Sequence, residues 1–494
     1  MLHSPVYLAI DLGAGSGRVI AGIMSEGILS LEEINRFENV PIEKGESLYW
    51  DFEALWRGIL EGLTLSVERF GAANIQSIGV DTWGVDYGLV DPEGNLLAVP
   101  RHYRDPRNKG IMDEFVARVP ADVIFEKSGI QFMDINTLVQ FGAEVKDPES
   151  VLPGAEKFLM IPDLINHRLT GKILCERTNA STTQLYNPVK RDWSRLLFKE
   201  LGVPLSIAPD FVDPGEVLGP VLPGIVAQTG LSPETKVVAV GSHDTASAVA
   251  AVPAEPASRF AYLSSGTWSL LGVEIDAPIL TPLAREYNFT NEVGVFETIR
   301  LLKNINGMWL VQECKRIWNN EGNDWSYKDL ARLAAGASRL QSFIDPDDKR
   351  FSGRCDMPGE ISDYCRETGQ IVPDCPGQTL RLITDSLALK IRFVLERLEK
   401  LIGHEIDVLH IIGGGGQNDP LSKSIASSIN RPVIVGPYEA TAVGNLMMQK
   451  VACGRLATLE EGRALIRRSF ETKRFEPAHP GEWSEAYERF VKLI

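Results

Sequence analysis

The chain has 494 residues, of which 44% are hydrophobic and 23% are charged, and its formal net charge is −16. A chain of this length exceeds one ordinary hydrophobic core, so two large domains are expected. The acidic balance argues against nucleic acid and anionic membrane as partners, because both require a basic surface. Phosphate ligands stay possible, since backbone N–H groups and Mg²⁺ can hold them.

Features of secreted or membrane-spanning chains are not found. Residues 1–5 lead into a strand pattern without a basic n-region, so no signal peptide is expected, and no apolar run reaches the length of a membrane span. The six cysteines are scattered, as is typical of reduced thiols, which favours a cytoplasmic location. Cys355, Cys365 and Cys375 have no CxxC pair or nearby His and do not predict a zinc site. Pairing of Cys355 with Cys365 is left open, although it is not expected in that compartment.

A glycine-rich turn follows the first predicted strand. Residues 6–10 are continuously apolar, as in a central strand, and Asp11 ends the run. Residues 12–18 then lead into a second apolar run, so the order is strand, turn, strand; a Rossmann or P-loop turn would open a helix instead. Such a turn can bind phosphate through its N–H groups and Ser16, and Asp11 could hold Mg²⁺ directly or through water. The alternative is an ordinary β-hairpin.

A second acidic strand end follows an amphipathic helix. Residues 52–69 carry apolar side chains at helical spacing, and residues 75–80 form the next predicted strand. This strand ends in Asp81-Thr82-Trp83-Gly84. An indole that stacks on a sugar face, beside a carboxylate that binds hydroxyls, would suit a carbohydrate. The alternative is a buried Trp beside a turn.

Two short elements are predicted from local patterns in the first half. Residues 85–90 and 96–99 flank the turn sequence Asp-Pro-Glu-Gly-Asn and predict a β-hairpin. Residues 192–201 predict a short helix, with Asp192 as its N-cap.

The middle of the chain carries Ser242-His243-Asp244-Thr245 at a predicted strand end. Residues 236–241 form the short buried strand, and residues 246–252 are small and mostly apolar, as in a helix. Ligand crevices of open α/β sheets form at the carboxyl ends of strands. An acid at a helix N-cap also satisfies free N–H groups, so the local pattern fits capping and catalysis equally.

The second half repeats the strand, turn, strand order. Residues 260–264 and 270–274 flank the turn Ser265-Gly266-Thr267-Trp268-Ser269. Two such hairpins are expected if two similar α/β domains each hold one side of a triphosphate.

A run of four glycines follows a later strand. Residues 378–402 predict a long helix, and residues 408–412 predict a strand that ends in the glycines at 413–416. Bare backbone at this position would let a flat ligand approach closely. The alternative is a flexible turn.

In this order, the segments resemble the sugar kinases of the FGGY family, within the actin and hexokinase-like ATPase superfamily, and are closest to the rhamnulokinase branch. The resemblance is carried by Asp11-Leu12-Gly13-Ala14 with Ser16-Gly17-Arg18, Asp81-Thr82-Trp83-Gly84-Val85-Asp86, Tyr103-Arg104-Asp105, Ser242-His243-Asp244-Thr245, Ser265-Gly266-Thr267-Trp268-Ser269, Lys303-Asn304-Ile305, Gly413-Gly414-Gly415 and Glu439-Ala440-Thr441. One departure is Gly15, where the family often has Ser; it removes a hydroxyl donor but leaves the backbone N–H groups. Another is Gly416, where a side chain is usual.

The resemblance implies an α/β fold of two ribonuclease H-like (actin/hexokinase-type ATPase) domains that face a central cleft. Residues 1–248 would bind sugar and supply the first phosphate hairpin and the base, and residues 249–494 would bind ATP. The implied reaction is phosphorylation of a ketose at the C1 hydroxyl by MgATP, L-rhamnulose to L-rhamnulose 1-phosphate, with L-fuculose or L-xylulose as alternatives. A non-catalytic actin-like sensor of sugar or nucleotide is a further alternative, which the intact Asp244 and hairpins disfavour.

The resemblance also assigns roles to single residues, with Asp244 as the proton acceptor. The implied substrate contacts are Asp81, Trp83, Gly84, His243, Asp244, Thr245 and Asn304. The implied ATP contacts are Ala14, Gly15, Ser16, Gly17, Arg18, Thr267, Gln312, Gly414 and Gly415. Asp11 is the candidate for Mg²⁺, through water. The expected partners are a small ketose and MgATP, with neither nucleic acid nor membrane, in a monomer or homodimer.

Overall fold

The computed structural model describes residues 5–494, which form a mixed α/β structure. Residues 1–4, part of the segment from which no signal peptide is expected, lie outside the described residues. The strands of the described chain are β1 (Val6–Leu12), β2 (Ser16–Ser25), β3 (Ile28–Glu38), β4 (Ile42–Lys44), β5 (Ser47–Tyr49), β6 (Ile75–Thr82), β7 (Tyr87–Val90), β8 (Lys157–Met160), β9 (Cys175–Glu176), β10 (Tyr186–Asn187), β11 (Asp192–Trp193), β12 (Phe211–Val212), β13 (Val217–Pro220), β14 (Lys236–Val238), β15 (Phe260–Ser265), β16 (Trp268–Ile275), β17 (Thr290–Val293), β18 (Ile299–Asn306), β19 (Val408–Ile412), β20 (Val433–Val435) and β21 (Lys473–Phe475).

The α-helices of the described chain are α1 (Phe52–Phe70), α2 (Ile111–Arg118), α3 (Ala121–Ser128), α4 (Thr137–Lys146), α5 (Ile161–Thr170), α6 (Arg177–Ala180), α7 (Arg195–Leu201), α8 (Pro223–Thr229), α9 (Asp244–Ala250), α10 (Pro282–Glu286), α11 (Trp309–Asn320), α12 (Tyr327–Ala335), α13 (Met357–Glu367), α14 (Pro376–Ile402), α15 (Asp419–Ile429), α16 (Ala440–Ala452), α17 (Leu459–Ser469) and α18 (Pro480–Phe490). The predicted helices at 52–69 and 378–402 are confirmed as α1 and α14. The predicted strand at 408–412 is confirmed as β19.

The chain divides into two compact units. The first comprises the chain up to Pro253, Glu274–Leu301 and Ala440–Phe470, and the second comprises Ala254–Val273, Leu302–Glu439 and Glu471–Ile494. The division of the chain at residue 248 stays a prediction.

The first unit contains a six-stranded sheet in the order β13-β14-β6-β1-β2-β3. β1 pairs antiparallel with β2 and parallel with β6, and β6 pairs parallel with β14. All seven residues of β1 are buried, as expected for a central strand with helices on the sheet faces. Helix α1 buries Leu55, Ile59 and Leu63, and its N-cap Asp51 accepts a hydrogen bond from Ala54 N at 2.9 Å. The result is a rigid sheet whose parallel strands end side by side.

In the second unit, the sheet runs in the order β18-β16-β15-β19-β20-β21. β15 pairs antiparallel with β16 and parallel with β19, and β19 pairs parallel with β20. The two predicted strand, turn, strand units are therefore confirmed as β1–β2 in the first unit and β15–β16 in the second.

The predicted hairpin at 85–99 forms only in part. Its turn closes, because Asp91 N donates to Asn95 O at 2.9 Å, but the return segment makes a single bridge, between Val90 and Leu96. β7 pairs along its length with β8 instead. A distant strand supplies a longer ladder than the return segment, which Pro100 ends because proline has no N–H to donate.

The predicted helix at 192–201 is shorter than expected, and its N-cap was wrong. Helix α7 begins at Arg195 with Ser194 as its N-cap, whereas Asp192 and Trp193 form strand β11. The Trp193 side chain is buried and its Nε1 donates to Pro209 O at 2.8 Å. Burial of this indole holds the segment extended and displaces the helix start.

Candidate active site

Asp244 is the first residue of α9, and His243 holds the N-cap position before it. The alternative in which Asp244 is itself the N-cap is therefore wrong. About a third (33%) of the Asp244 side chain is exposed, and its Oδ1 accepts a hydrogen bond from Thr245 Oγ1 at 3.0 Å. Burial raises the pKa of Asp244, while the neighbouring His243 and the hydrogen bond from Thr245 act to lower it. The site thus holds an accessible carboxylate that is more basic than usual.

The turn that carries Asp244 is held by Glu176, a buried residue at the end of β9. Its carboxylate accepts hydrogen bonds from Ser242 N at 3.0 Å, Ser242 Oγ at 2.6 Å and Thr178 Oγ1 at 2.5 Å. It also accepts from Thr178 N at 2.8 Å and Asn179 N at 3.2 Å. Burial raises the pKa of Glu176, and the hydrogen bonds from Ser242 and Thr178 act against that rise. Sequence reasoning missed Glu176, whose one local signal is that it precedes α6 as an N-cap.

The predicted acids lie at the carboxyl ends of neighbouring strands. Asp11 on β1 and Asp81 on β6 are partners in the parallel register, and Thr82 N donates to Ser242 O at 2.8 Å. Asp81 is fully buried; its Oδ2 accepts from Asn445 Nδ2 at 2.5 Å, and its Oδ1 has no hydrogen-bond partner among the described residues. Burial and, second, the charge of Asp11 raise the pKa of Asp81 well above its ordinary value. The acidic ends of two strands, Asp11 and Asp81, therefore lie near Asp244 at the start of α9, at one edge of the first sheet.

Trp83 lies in a buried aromatic cluster behind this edge. Its Nε1 donates to Asp86 Oδ2 at 2.9 Å, and Trp50 Nε1 donates to the same oxygen at 2.6 Å. The two indole centroids lie 4.1 Å apart. Burial raises the pKa of Asp86 to about 7, against the hydrogen bonds from both indoles. Gly84 follows this cluster, and a side chain added at 84 would lie 3.0 Å from Thr182.

The predicted nucleotide contacts of the first unit lie at the first turn: Ala14 and Gly15 are in the turn between β1 and β2, and Ser16, Gly17 and Arg18 begin β2. Gly13 N donates to Ser16 O at 2.9 Å, which closes the turn. Gly15 is exposed, and no atom lies within 4 Å of where its side chain would stand. Arg18 forms an ion pair with Asp11. The turn thus exposes backbone on one side and carries a paired charge at its base.

The other predicted residues, Asn304, Thr267, Gln312, Gly414 and Gly415, lie in the second unit. Gln312 Nε2 donates to Thr267 Oγ1 at 3.3 Å. The glycine run forms a 3₁₀ turn after β19. A side chain at Gly415 would lie 2.2 Å from Ser265 Oγ, whereas one at Gly414 would meet nothing within 4 Å. The predicted ATP contacts of this unit therefore converge on the turn between β15 and β16.

Asn304 is half-buried on β18. The residues that follow β18 are hydrogen-bonded to the turn between β15 and β16. Gly307 N and Trp309 N both donate to Thr267 O at 3.2 Å, and Met308 N donates to Gly266 O at 3.1 Å. The predicted sugar contact of this unit is therefore tied, through the backbone of its strand, to the predicted ATP contacts.

Other ligand signals are few in the part of the chain that the structure describes. No group of three or more His, Cys, Asp and Glu side chains within residues 5–494 could hold a metal ion, and all six cysteines are free thiols. No helix in that range is long and apolar enough to cross a membrane. The second unit contains a cavity of about 640 Å³ whose lining includes Trp325, Leu333 and Pro376 but none of the predicted site residues.

Family models match most of the chain. Residues 6–251 match the N-terminal domain of the FGGY family of carbohydrate kinases, and residues 261–453 match its C-terminal domain. A rhamnulokinase from Bacteroides thetaiotaomicron is 46% identical over 488 residues, covering 99% of each chain. A rhamnulokinase from Oceanobacillus iheyensis is 39% identical over 94% of this chain and 97% of its own.

Solved structures share the fold. A ligand-bound xylulose kinase from Lactobacillus acidophilus superposes with a TM-score of 0.81 at 16% identity, covering 99% of this chain and 97% of its own. Plasmodium falciparum glycerol kinase with ADP gives 0.77 at 16% identity, covering 99% and 98%. The predicted α/β fold class of two actin/hexokinase-type domains is thereby confirmed. Two family models and full-length relatives well above 30% identity lead to one conclusion: the chain belongs to the FGGY family of carbohydrate kinases.

Proposed function

We propose that this kinase transfers the γ-phosphoryl group of ATP to the C1 hydroxyl of L-rhamnulose, giving L-rhamnulose 1-phosphate. The observation that carries the proposal is the set of nearly full-length relatives named rhamnulokinase, which are 38–46% identical to this chain. The structural neighbours whose titles name xylulose, gluconate or glycerol kinase are below 20% identical and bear on the fold alone.

Asp244 is the proposed general base. A sugar hydroxyl is a poor nucleophile at neutral pH, and a carboxylate within hydrogen-bond reach can accept its proton as the bond to phosphorus forms. Asp244 suits this role because it is partly exposed and because burial raises its pKa, which strengthens it as a base. The hydrogen bonds of Glu176 to Ser242 hold the turn rigid, so little reorganisation is needed when substrate binds.

The proposed ATP contacts combine a glycine run with polar side chains. Bare backbone at Gly414 leaves room for a flat ligand, while Thr267 and Gln312 offer a hydroxyl and an amide that are already oriented by their mutual hydrogen bond. In the first unit, the exposed turn at Gly15 offers backbone N–H groups to phosphate oxygens.

Mg²⁺ is part of the proposal, and the acids of the first unit fit it. Asp11 and Asp81 are register partners whose charges repel, and the buried Oδ1 of Asp81 has no hydrogen-bond partner among residues 5–494. Carboxylate oxygens are the ligands that Mg²⁺ prefers. Asp11 would hold the ion through water, since Arg18 already pairs with its carboxylate. When bound, the ion neutralises charge on the phosphate oxygens.

Three further expectations stay predictions. The free thiols are typical of a reducing compartment, which suits the expected cytoplasmic location. A monomer or homodimer is expected, and neither nucleic acid nor membrane is an expected partner of a chain with a net charge of −16.

A coupled assay of ADP formation across a ketose panel tests the proposal. L-Rhamnulose should give the highest kcat/KM, and L-fuculose and L-xylulose should give lower values. A higher value for either of these would replace the substrate and keep the kinase. If no ketose stimulates ADP formation, the kinase proposal fails, and the result favours the alternative of a non-catalytic sensor of sugar or nucleotide.

A further inference from the structure

We infer that Glu292 and Arg300 are positioning residues that fix His243 as a hydrogen-bond donor beside Asp244. Both lie in the first unit, Glu292 on β17 and Arg300 on β18, far from the motif in sequence. The consequence for sugar binding rests on the proposed function, whereas the geometry of the imidazole does not.

Arg300 contacts the imidazole directly. Its side chain is fully buried, with 0% exposed, and its Nη2 lies 3.2 Å from His243 Nδ1 in hydrogen-bonding geometry. The same nitrogen donates to Val293 O at 3.1 Å, and Nε donates to that oxygen at 3.2 Å. Glu292 Oε2 forms an ion pair with Arg300 Nη2 at 3.0 Å and lies 3.1 Å from His243 Nδ1.

These contacts select one tautomer of His243. Nδ1 lies near both a donor, Arg300 Nη2, and an acceptor, Glu292 Oε2, but only the contact with Arg300 has hydrogen-bond geometry, and Glu292 Oε2 accepts no hydrogen bond from the described residues. A guanidinium donates hydrogen bonds and cannot accept them, so Nδ1 is the acceptor of the bond from Arg300. A neutral imidazole with a bare Nδ1 carries its proton on Nε2. His243 Nε2 lies 3.5 Å from Asp244 Oδ1, so its N–H is held next to the carboxylate. Glu292 offsets the charge of Arg300, which would otherwise stand unpaired against the ring.

Stability does not explain this pair. Removing two charges from water costs more than their attraction returns unless every polar atom is satisfied, so a buried ion pair is a weak stabiliser. Here Arg300 Nη1 is buried without a hydrogen-bond partner among the described residues. Burial alone would raise the pKa of Glu292, but the adjacent Arg300 charge acts in the opposite direction and the pKa lies below its ordinary value, so the carboxylate stays ionised. The ion pair is a weak stabiliser and leaves a buried polar atom without a hydrogen bond within the described chain, yet it contacts the imidazole of His243. This points to a role in the candidate active site.

The arrangement sets an acceptor and a donor side by side. Asp244 can take the proton of the reacting hydroxyl while His243 Nε2–H donates to an oxygen on the adjacent sugar carbon, which in a ketose phosphorylated at C1 is the C2 oxygen. A hydrogen bond of this kind forms in the ground state and persists in the transition state, so its loss should raise KM more than it lowers kcat.

The test replaces both charges, Arg300→Met with Glu292→Met, so that no unpaired charge is left buried. The matched control is Arg463→Met with Glu274→Met. That pair also lies in the first unit, with side chains only 10% and 9% exposed, and Arg463 likewise donates to a backbone carbonyl, Val249 O at 3.2 Å. The ion-pair and hydrogen-bond partners of the His243 ring are instead Asp244, Glu292 and Arg300.

In the Arg300/Glu292 variant, KM for the sugar should rise about tenfold, with kcat and KM for ATP changed less than about threefold. The control should leave KM for the sugar within about twofold, whatever its Tm. In a His243→Leu background, the Arg300/Glu292 change should add nothing, because its effect passes through the ring. An unchanged KM, an equal rise in the control, or a full added rise in the His243→Leu background would each overturn the inference. If the paired variant does not fold, Arg300→Lys, which keeps the charge beside Glu292, must still raise KM for the sugar selectively.

A second measurement separates this inference from the proposed function. In protein without ligand and with ¹⁵N-labelled histidine, the His243 signals, assigned by their loss in His243→Leu, should show a protonated Nε2 and a bare Nδ1. They should shift in the Arg300/Glu292 variant and stay in place in the control. A proton on Nδ1, or no shift in the variant, rejects the inference; failure of every ketose in the panel rejects the proposed function and leaves these signals as predicted.

Discussion

The candidate site residues of the two units differ in charge. In the first unit, buried charged groups hold the turn that carries the base, with Glu176 against Ser242 and Arg300 against His243. In the second unit, the candidates are neutral, namely the hydroxyl of Thr267, its amide partner and a glycine run. Buried charges tune proton affinity, because interactions are strong where water is excluded, whereas neutral donors and bare backbone accommodate a ligand that brings its own charge. We therefore expect changes at the buried charges of the first unit to affect turnover and sugar, and changes at Thr267, Gln312 and the glycine run of the second unit to affect ATP.

The largest expected effect is that of Asp244→Asn. The amide keeps the shape and cannot accept the hydroxyl proton, so kcat should fall about 10³-fold while sugar binding persists. Turnover in the coupled assay and sugar affinity by calorimetry check this outcome. Near-normal turnover would remove Asp244 from the role of base and weaken the contrast between the units.

Glu176→Gln should have the next largest effect. Five N–H and O–H groups donate to this carboxylate, and an amide offers a single acceptor oxygen, so buried donors are left unsatisfied at a cost of about 2 kcal/mol. Both Tm and kcat should fall, with KM for ATP unchanged. Thermal unfolding and steady-state kinetics check this; a selective rise in KM for ATP would contradict the division of roles.

Adjacent glycines of the second unit give a paired prediction. Gly415→Ala should destabilise by about 1–3 kcal/mol, because the new methyl meets Ser265 Oγ at 2.2 Å and Ser265 O at 2.8 Å. Gly414→Ala meets nothing in the protein and should leave Tm unchanged, yet raise KM for ATP about tenfold if the nucleotide lies against this backbone. Each variant is the control for the other. An unchanged KM for ATP in Gly414→Ala would place the nucleotide elsewhere.

The smallest effect is expected at Gly15→Ser, which restores the residue that is frequent in the family. Its side chain would stand in open space, so Tm should stay the same and KM for ATP should change by less than about twofold. Thermal unfolding and ATP titration check this. A large change in KM for ATP would show that nucleotide binding at this turn depends on the side chain at position 15 and not on the backbone N–H groups alone.

Local pattern was sufficient for elements whose hydrogen bonds close within themselves or with a neighbour in sequence. The apolar spacing of α1 and α14 and the buried run of β19 predicted those elements to within two residues at each end. The strand, turn, strand order of β1–β2 and β15–β16 followed from glycines and small residues between apolar runs. The order of the motifs along the chain was sufficient for the family.

Distant contacts were beyond the reach of such patterns. β7 pairs with β8 and not with the return segment that the local pattern predicted. Burial of the Trp193 indole moves the start of α7 to Arg195. Neither Glu176 nor Glu292 has a local signature of its role, because each acts on the turn at His243 from a separate strand. A sequence motif names the groups that can carry out the chemistry, but their orientation and proton affinity depend on which charges and donors folding buries against them, and those come from anywhere in the chain.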